Sequence, residues 1–204
     1  MTGIEGAPNP EFKAKPGRKL VEFGLADPGD DLWVFGYGSL MWNPGFAHVR
    51  QTAAQLYGYH RAFAMASVRH RGTPDRPGLV LTLCPGGSCT GRAFLVAKAE
   101  TEAAIAYLLD REIGTYAYRP AYVSMHMDGE RRQALTFLPT PGAPQFQPGL
   151  SQAEQARAIA HAVGGMGPNV DYLRQTIVQM QALGLPTHAF EALEAEALAL
   201  REQS

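Results

Sequence analysis

The sequence predicts an α+β fold. Strand-like segments cluster between residues 32 and 138, and helical segments dominate from residue 151 onward. Only one helical pattern interrupts the strands, so the chain lacks the regular alternation of a βαβ repeat. No internal repeat is visible. Of the 204 residues, 46% are apolar and 18% charged, which suits a globular domain with a real core.

Taken in order, residues 1–30 are rich in Gly, Pro, Lys and Asp and show no sustained period. They are expected to form an arm, in part disordered, ahead of a domain covering residues 31–204. Strands are expected at 32–36, 55–67, 78–83, 91–97, 122–127 and 134–138, where Val, Phe, Tyr and Leu recur between turn residues. The run Cys84-Pro-Gly-Gly-Ser-Cys89 reads as a turn between the third and fourth. Asp128-Gly129 reads as a tight hairpin between the last two. Residues 101–112 form an amphipathic helical pattern. Ser151 and Glu154 make a capping box for a helix ending at Gly164-Gly165. Asn169 is placed to cap a helix running to Gly184, and Thr187 to cap a last one through residue 200.

Bulk properties exclude several functions. A formal net charge of −1 argues against a nucleic-acid or polybasic membrane surface. No apolar run approaches the roughly 18 residues of a membrane span, and the N-terminus lacks a signal-like stretch. Two cysteines outside any CxxC pattern point to a reduced, cytoplasmic protein. Six scattered histidines give no ligand spacing, so neither a metal nor a cofactor is expected. Nothing in the sequence bears on the oligomeric state.

The segment Trp33-Val-Phe-Gly-Tyr-Gly-Ser-Leu-Met-Trp42 breaks an apolar strand with two glycines and a serine. It begins like a dinucleotide-binding GxGxxG turn, but Met41 replaces the third glycine and Asn43-Pro44-Gly45 follows where a helix should start. It is not a GxSxG elbow either. Two readings remain. Paired glycines with unusual dihedral angles let successive N–H groups converge on an anion, with Ser39 adding a hydroxyl. Alternatively, the turn is a bulge or a tight bend in a barrel.

A second feature is a carboxylate on an apolar stripe. Ile105, Leu108, Leu109 and Glu112 follow i, i+3, i+4, i+7 spacing, while Asp110 lies nearly opposite and Arg111 to the side. A buried carboxylate has its pKa raised, which suits a general base working near neutrality. The bland alternative is a helix-end residue that reaches solvent or an arginine.

Five motifs occur in sequence: VFGYGSLMW, GYHRAF, RGTPDRPGLVLTL, an RE pair followed by a tyrosine, and GPNVDYL. Together they resemble the ChaC-like branch of the γ-glutamylcyclotransferase family, over residues 32–193. The resemblance implies a small mixed β-barrel flanked by helices. It implies a small-molecule γ-glutamyl substrate, glutathione, cleaved to 5-oxoproline and cysteinylglycine. It implies that Tyr37, Gly38, Ser39 and Leu40 line the substrate pocket and that Glu112 is the catalytic acid/base. It also places Tyr118 and Tyr172 near ligand, although each also reads as half-buried core. Arg71 is a candidate for a substrate carboxylate, with a structural turn as the alternative. Tyr59 and His60 read as barrel residues. The run Arg111-Glu-Ile-Gly-Thr-Tyr-Ala-Tyr118 carries only Gly114 where some relatives carry two glycines, which leaves substrate scope open. The alternatives are a cyclotransferase for other γ-glutamyl amines or dipeptides, and a non-catalytic γ-glutamyl-binding regulator.

Overall fold

The computed structural model describes residues 19–113 and 117–203. The described residues divide into two compact units, one within residues 19–60 and 85–143, the other within residues 61–84 and 144–203. Five strands close a barrel in the order β1-β3-β2-β4-β5. They are β1 (Leu32–Gly36), β2 (Arg50–Ser67), β3 (Gly78–Val96), β4 (Tyr118–Met127) and β5 (Glu130–Pro139). Pairing is antiparallel between β1 and β3, β2 and β4, and β4 and β5, and the barrel is mixed because β1 runs parallel to β5, with Val34 opposite Leu135. Closure removes the exposed sheet edges that would otherwise seek partners.

The strand β1 reads as nearly continuous apolar sequence because both of its edges are paired and four of its five residues are buried. The helix α1 (Lys98–Ile113) follows β3 and buries Ala104, Ile105, Leu108, Leu109 and Ile113. These side chains join Val34, Leu40, Phe46, Phe94, Leu135 and Phe137 in the core of the first unit. Leu20 is fully buried in the same cluster, with Phe23 and Leu25 packed against it. Leu20, Phe23 and Leu25 of the expected arm therefore pack on the first unit's core, and residues 1–18 lie outside the described residues. The Asp128-Gly129 hairpin is present, with φ of 50° and 78°, the double positive φ that a two-residue type I′ turn requires.

The second unit contains α2 (Gln152–His161), α3 (Asn169–Ala182) and α4 (His188–Glu202). Ala156, Ile159, Leu173, Ile177, Leu193 and Ala197 are buried there, and Phe63 meets the rings of Tyr172 and Phe190 edge to face. Ser151 caps α2 through Glu154 N–H, and the Glu154 carboxylate returns to Ser151 N–H at 2.8 Å. Among the described residues, no helix is long and apolar enough to cross a membrane.

Several local expectations are corrected. The Cys84–Cys89 run is not a turn. It lies inside the single long strand β3, where Gly86 and Gly87 take φ of 90° and 74° and the Gly86 carbonyl meets His60 Nδ1 at 3.0 Å. Glycines at positive φ are absorbed within the strand rather than ending it. Both cysteines are free and buried, and burial pushes the Cys84 thiol upward. The helix α2 stops at His161. The segment Val163–Gly164 then pairs with Gly167–Pro168 as a short two-stranded ribbon, β6 with β7. Asn169 opens α3 as its first residue and does not cap it. Thr187 stands at the cap position of α4, but its hydroxyl donates to the Glu191 carboxylate at 2.7 Å rather than accepting from the backbone.

Candidate active site

The first unit brings the glycine–serine turn and the helix-borne acid into one bonded network. After β1 the chain makes one 3-10 turn, Ser39–Met41, in which Met41 N–H donates to the Gly38 carbonyl at 2.9 Å and Asn43 N–H to the Ser39 carbonyl at 2.9 Å. A helix start leaves its first N–H groups without intrahelical acceptors, and here these belong to Ser39 and Leu40.

The two glycines serve a purpose other than a left-handed backbone, since neither takes a positive φ. At Gly36 a Cβ would come within 2.9 Å of Leu40 Cβ and 3.3 Å of the Phe94 ring, so the glycine allows the turn to fold back on its strand. Gly38 sits at φ −128° and ψ −132°, just before the turn. Tyr37 is buried, and its hydroxyl donates to the Phe137 carbonyl at 2.8 Å. Leu40 is in the core cluster.

Glu112 lies in the last turn of α1 with its side chain 19% exposed. Burial pushes its pKa above the ordinary value of 4.5, and the charge and hydrogen bond of Arg111 oppose that rise without cancelling it. The position contributes in the same sense, because the C-terminal end of a helix disfavours a negative charge. The carboxylate accepts from Arg111 Nε, with 3.1 Å between Nε and Oε1.

Arg111, which the sequence reading assigned no role, bonds to both the acid and the turn. Its side chain is 16% exposed, and its guanidinium reaches in three directions. Nη2 donates to Ser39 Oγ at 2.8 Å. Nη1 donates to the Asn43 carbonyl at 2.6 Å, the Pro44 carbonyl at 3.3 Å and the Tyr107 hydroxyl at 3.0 Å. The Asn43-Pro44-Gly45 segment wraps this group because Gly45 takes φ +74°, and a Cβ there would overlap the Tyr107 hydroxyl. Helical periodicity placed Arg111 off the apolar stripe. A basic residue beside a striped acid was the available signal.

Tyr118 opens β4, part-buried against the first unit's core. Gly114, Thr115 and Tyr116, on which the single-glycine comparison rests, lie outside the described residues. In the second unit Arg71 and Tyr172 are together: the Arg71 guanidinium lies 5.6 Å from the centre of the Tyr172 ring and Nη1 donates to the Pro168 carbonyl at 3.1 Å. Burial lowers the Arg71 pKa. The Tyr172 hydroxyl accepts from Leu81 N–H at 3.4 Å. Close by, the buried Asn169 side chain mimics a strand edge, accepting from Leu79 N–H at 2.6 Å and donating to the Leu79 carbonyl at 2.7 Å. Among the described residues, no cluster of three His, Cys, Asp or Glu side chains is arranged to hold a metal ion.

The closed mixed barrel thus carries a part-buried acid tied through one arginine to the turn that follows β1. The chain belongs to the ChaC-like protein family, whose profile matches residues 32–199. Among curated proteins, it is 34% identical over 155 residues to a glutathione-specific γ-glutamylcyclotransferase of Escherichia coli, covering 76% of this chain and 67% of the relative. It is also 34% identical over 190 residues to the protein of the same description from Schizosaccharomyces pombe, covering 83% of this chain and 93% of the relative. Among solved structures, the fold matches a γ-glutamyl cyclotransferase specific to glutathione from yeast with a TM-score of 0.77 and 21% identity, over 86% of this chain and 99% of that one.

Proposed function

We propose that this chain is a γ-glutamylcyclotransferase that cleaves glutathione into 5-oxoproline and cysteinylglycine, with Glu112 as general acid/base. The observation that carries this reading is the part-buried Glu112 carboxylate, linked through Arg111 to Ser39 in the donor turn. The names of the curated relatives support the same activity.

The reaction needs little from the protein. The α-amine of the γ-glutamyl group attacks its own γ-carbonyl, a five-membered lactam closes, and the amide bond to cysteine breaks. Curling the substrate so that amine and carbonyl meet is a positional effect, which contributes about 7–11 kcal/mol in favourable systems. The bound ammonium must lose a proton before it can attack. A carboxylate whose pKa is raised by burial is a stronger base than an exposed one, and it then holds a proton for the departing amine. The N–H groups at Ser39 and Leu40 supply donors already in place for either the substrate carboxylate or the developing oxyanion. An α-linked peptide is refused because its amine lies too near its own carbonyl to form a five-membered ring. The reading assigns no step to Tyr118, Arg71 or Tyr172. A reducing compartment suits the free thiols of Cys84 and Cys89.

The test is mass-spectrometric detection of 5-oxoproline and cysteinylglycine after mixing purified protein with glutathione. Parallel reactions with γ-glutamyl-alanine and γ-glutamyl-lysine rank the substrates. Glu112→Gln is expected to release no 5-oxoproline while still binding glutathione by isothermal titration. Turnover by that variant at the wild-type rate would remove Glu112 from the mechanism, and wild-type protein that binds glutathione without releasing product would make it a binding protein.

A further inference from the structure

We propose that Arg111 is a positioning residue of this reaction, whose guanidinium sets the distance between the Glu112 carboxylate and the donor turn at Ser39. The inference rests on the cyclotransferase reading above. The turn lies 72 residues before Arg111, which bonds both to Ser39 there and to the neighbouring acid. A guanidinium is a flat fork with its N–H donors in fixed directions, so its contacts specify one geometry rather than a range. Nε is committed to Glu112 Oε1, Nη2 to Ser39 Oγ, and Nη1 to the Asn43 and Pro44 carbonyls and the Tyr107 hydroxyl. The Nη1 contacts act as an anchor. They hold the plane of the fork against a loop that only glycine at position 45 permits.

This arrangement explains why an arginine stands beside a base whose basicity it reduces. Its charge alone would favour the ionised carboxylate and weaken the base, and burial prevails over it. The gain is geometric. With Oε1 fixed by Nε, the proton is taken up at Oε2, at a set distance from the turn that holds the substrate. Lysine would retain the charge without the fork.

The groups facing the pair decide how the test is read. Tyr107 faces the guanidinium from the same helix, and Ser39 with the carbonyls of residues 43 and 44 faces it from the turn. None of the latter titrates near neutrality, so Arg111 is the charge whose removal the pH profile reports. The variants are Arg111→Lys, Arg111→Met and Tyr107→Phe, each checked for folding by circular dichroism and compared with wild type and Glu112→Gln. Arg111→Lys is expected to lower kcat on the order of 100-fold, with KM for glutathione little changed, as for a base displaced by about 1 Å. Arg111→Met is expected to lower kcat and also to move the acid limb of the pH–rate profile upward, because the opposing charge is gone. Tyr107→Phe keeps the buried ring, removes one anchor and is expected to lower kcat less than the lysine variant. Wild-type kcat and an unmoved acid limb in the folded Arg111 variants, with Glu112→Gln inactive, would overturn the inference and leave the cyclotransferase reading standing. If the Arg111 variants do not fold, an unchanged kcat in Tyr107→Phe overturns it. Wild-type protein that releases no 5-oxoproline removes both.

Discussion

Asn169→Ala is expected to be among the most damaging single changes in the second unit. Asn169 is fully buried, and its amide holds both the N–H and the carbonyl of Leu79, which is itself buried. Alanine leaves one buried donor and one buried acceptor without partners. Each such loss costs about 1–3 kcal/mol, so the sum lies at about 2–6 kcal/mol. Gly78 packs closely against the amide oxygen, since a Cβ added there would come within 2.5 Å of it. A loss of about 3 kcal/mol is therefore expected, which for a chain of this size lowers Tm by roughly 6–12 °C. Urea unfolding followed by far-UV circular dichroism measures it well, because α2, α3 and α4 all belong to the second unit. Asn169→Asp separates the two bonds, since the acid keeps an acceptor for Leu79 N–H but, when ionised, has no donor for the carbonyl. A midpoint for Asn169→Ala indistinguishable from wild type would refute the claim that this amide substitutes for a strand partner.

Three further outcomes follow. The folded-state pKa of Glu112 lies above its unfolded value, so the native state binds more protons than the unfolded chain in the interval between them, and stability falls as pH rises through it. The stability of wild type minus that of Glu112→Gln should accordingly decline as pH increases across that interval in urea titrations, and a difference that grows would contradict the burial of the acid. Gly45→Ala forces a left-handed φ on an L-residue and drives a Cβ into the Tyr107 hydroxyl, so a stability loss of about 2–4 kcal/mol is expected by thermal unfolding, together with reduced turnover. Tyr37→Phe leaves the buried Phe137 carbonyl without its donor and should cost about 1 kcal/mol in urea unfolding.

The parts legible in the sequence are those governed by neighbours along the chain. Spacing of three and four residues put Glu112 on the same stripe as Ile105, Leu108 and Leu109, and α1 buries that stripe. The Asp128-Gly129 turn and the Ser151–Glu154 box were readable because each is a local exchange of backbone torsions and hydrogen bonds. Other features needed the tertiary structure, because their partners are far away in sequence. The Cys84–Cys89 run has turn composition, yet pairing of its neighbours keeps it in one long strand. Asn169 has the signature of a helix cap, but a strand residue 90 positions away captures its amide. Helical spacing put Arg111 only to the side of the stripe, and folding brings Ser39, Asn43 and Pro44 within reach of its guanidinium. Local pattern placed Glu112 on the apolar stripe and marked the turn at residues 36–39 as unusual. Packing of distant segments alone could decide that one arginine joins them, since a hydrogen bond across 72 residues leaves no period in the chain.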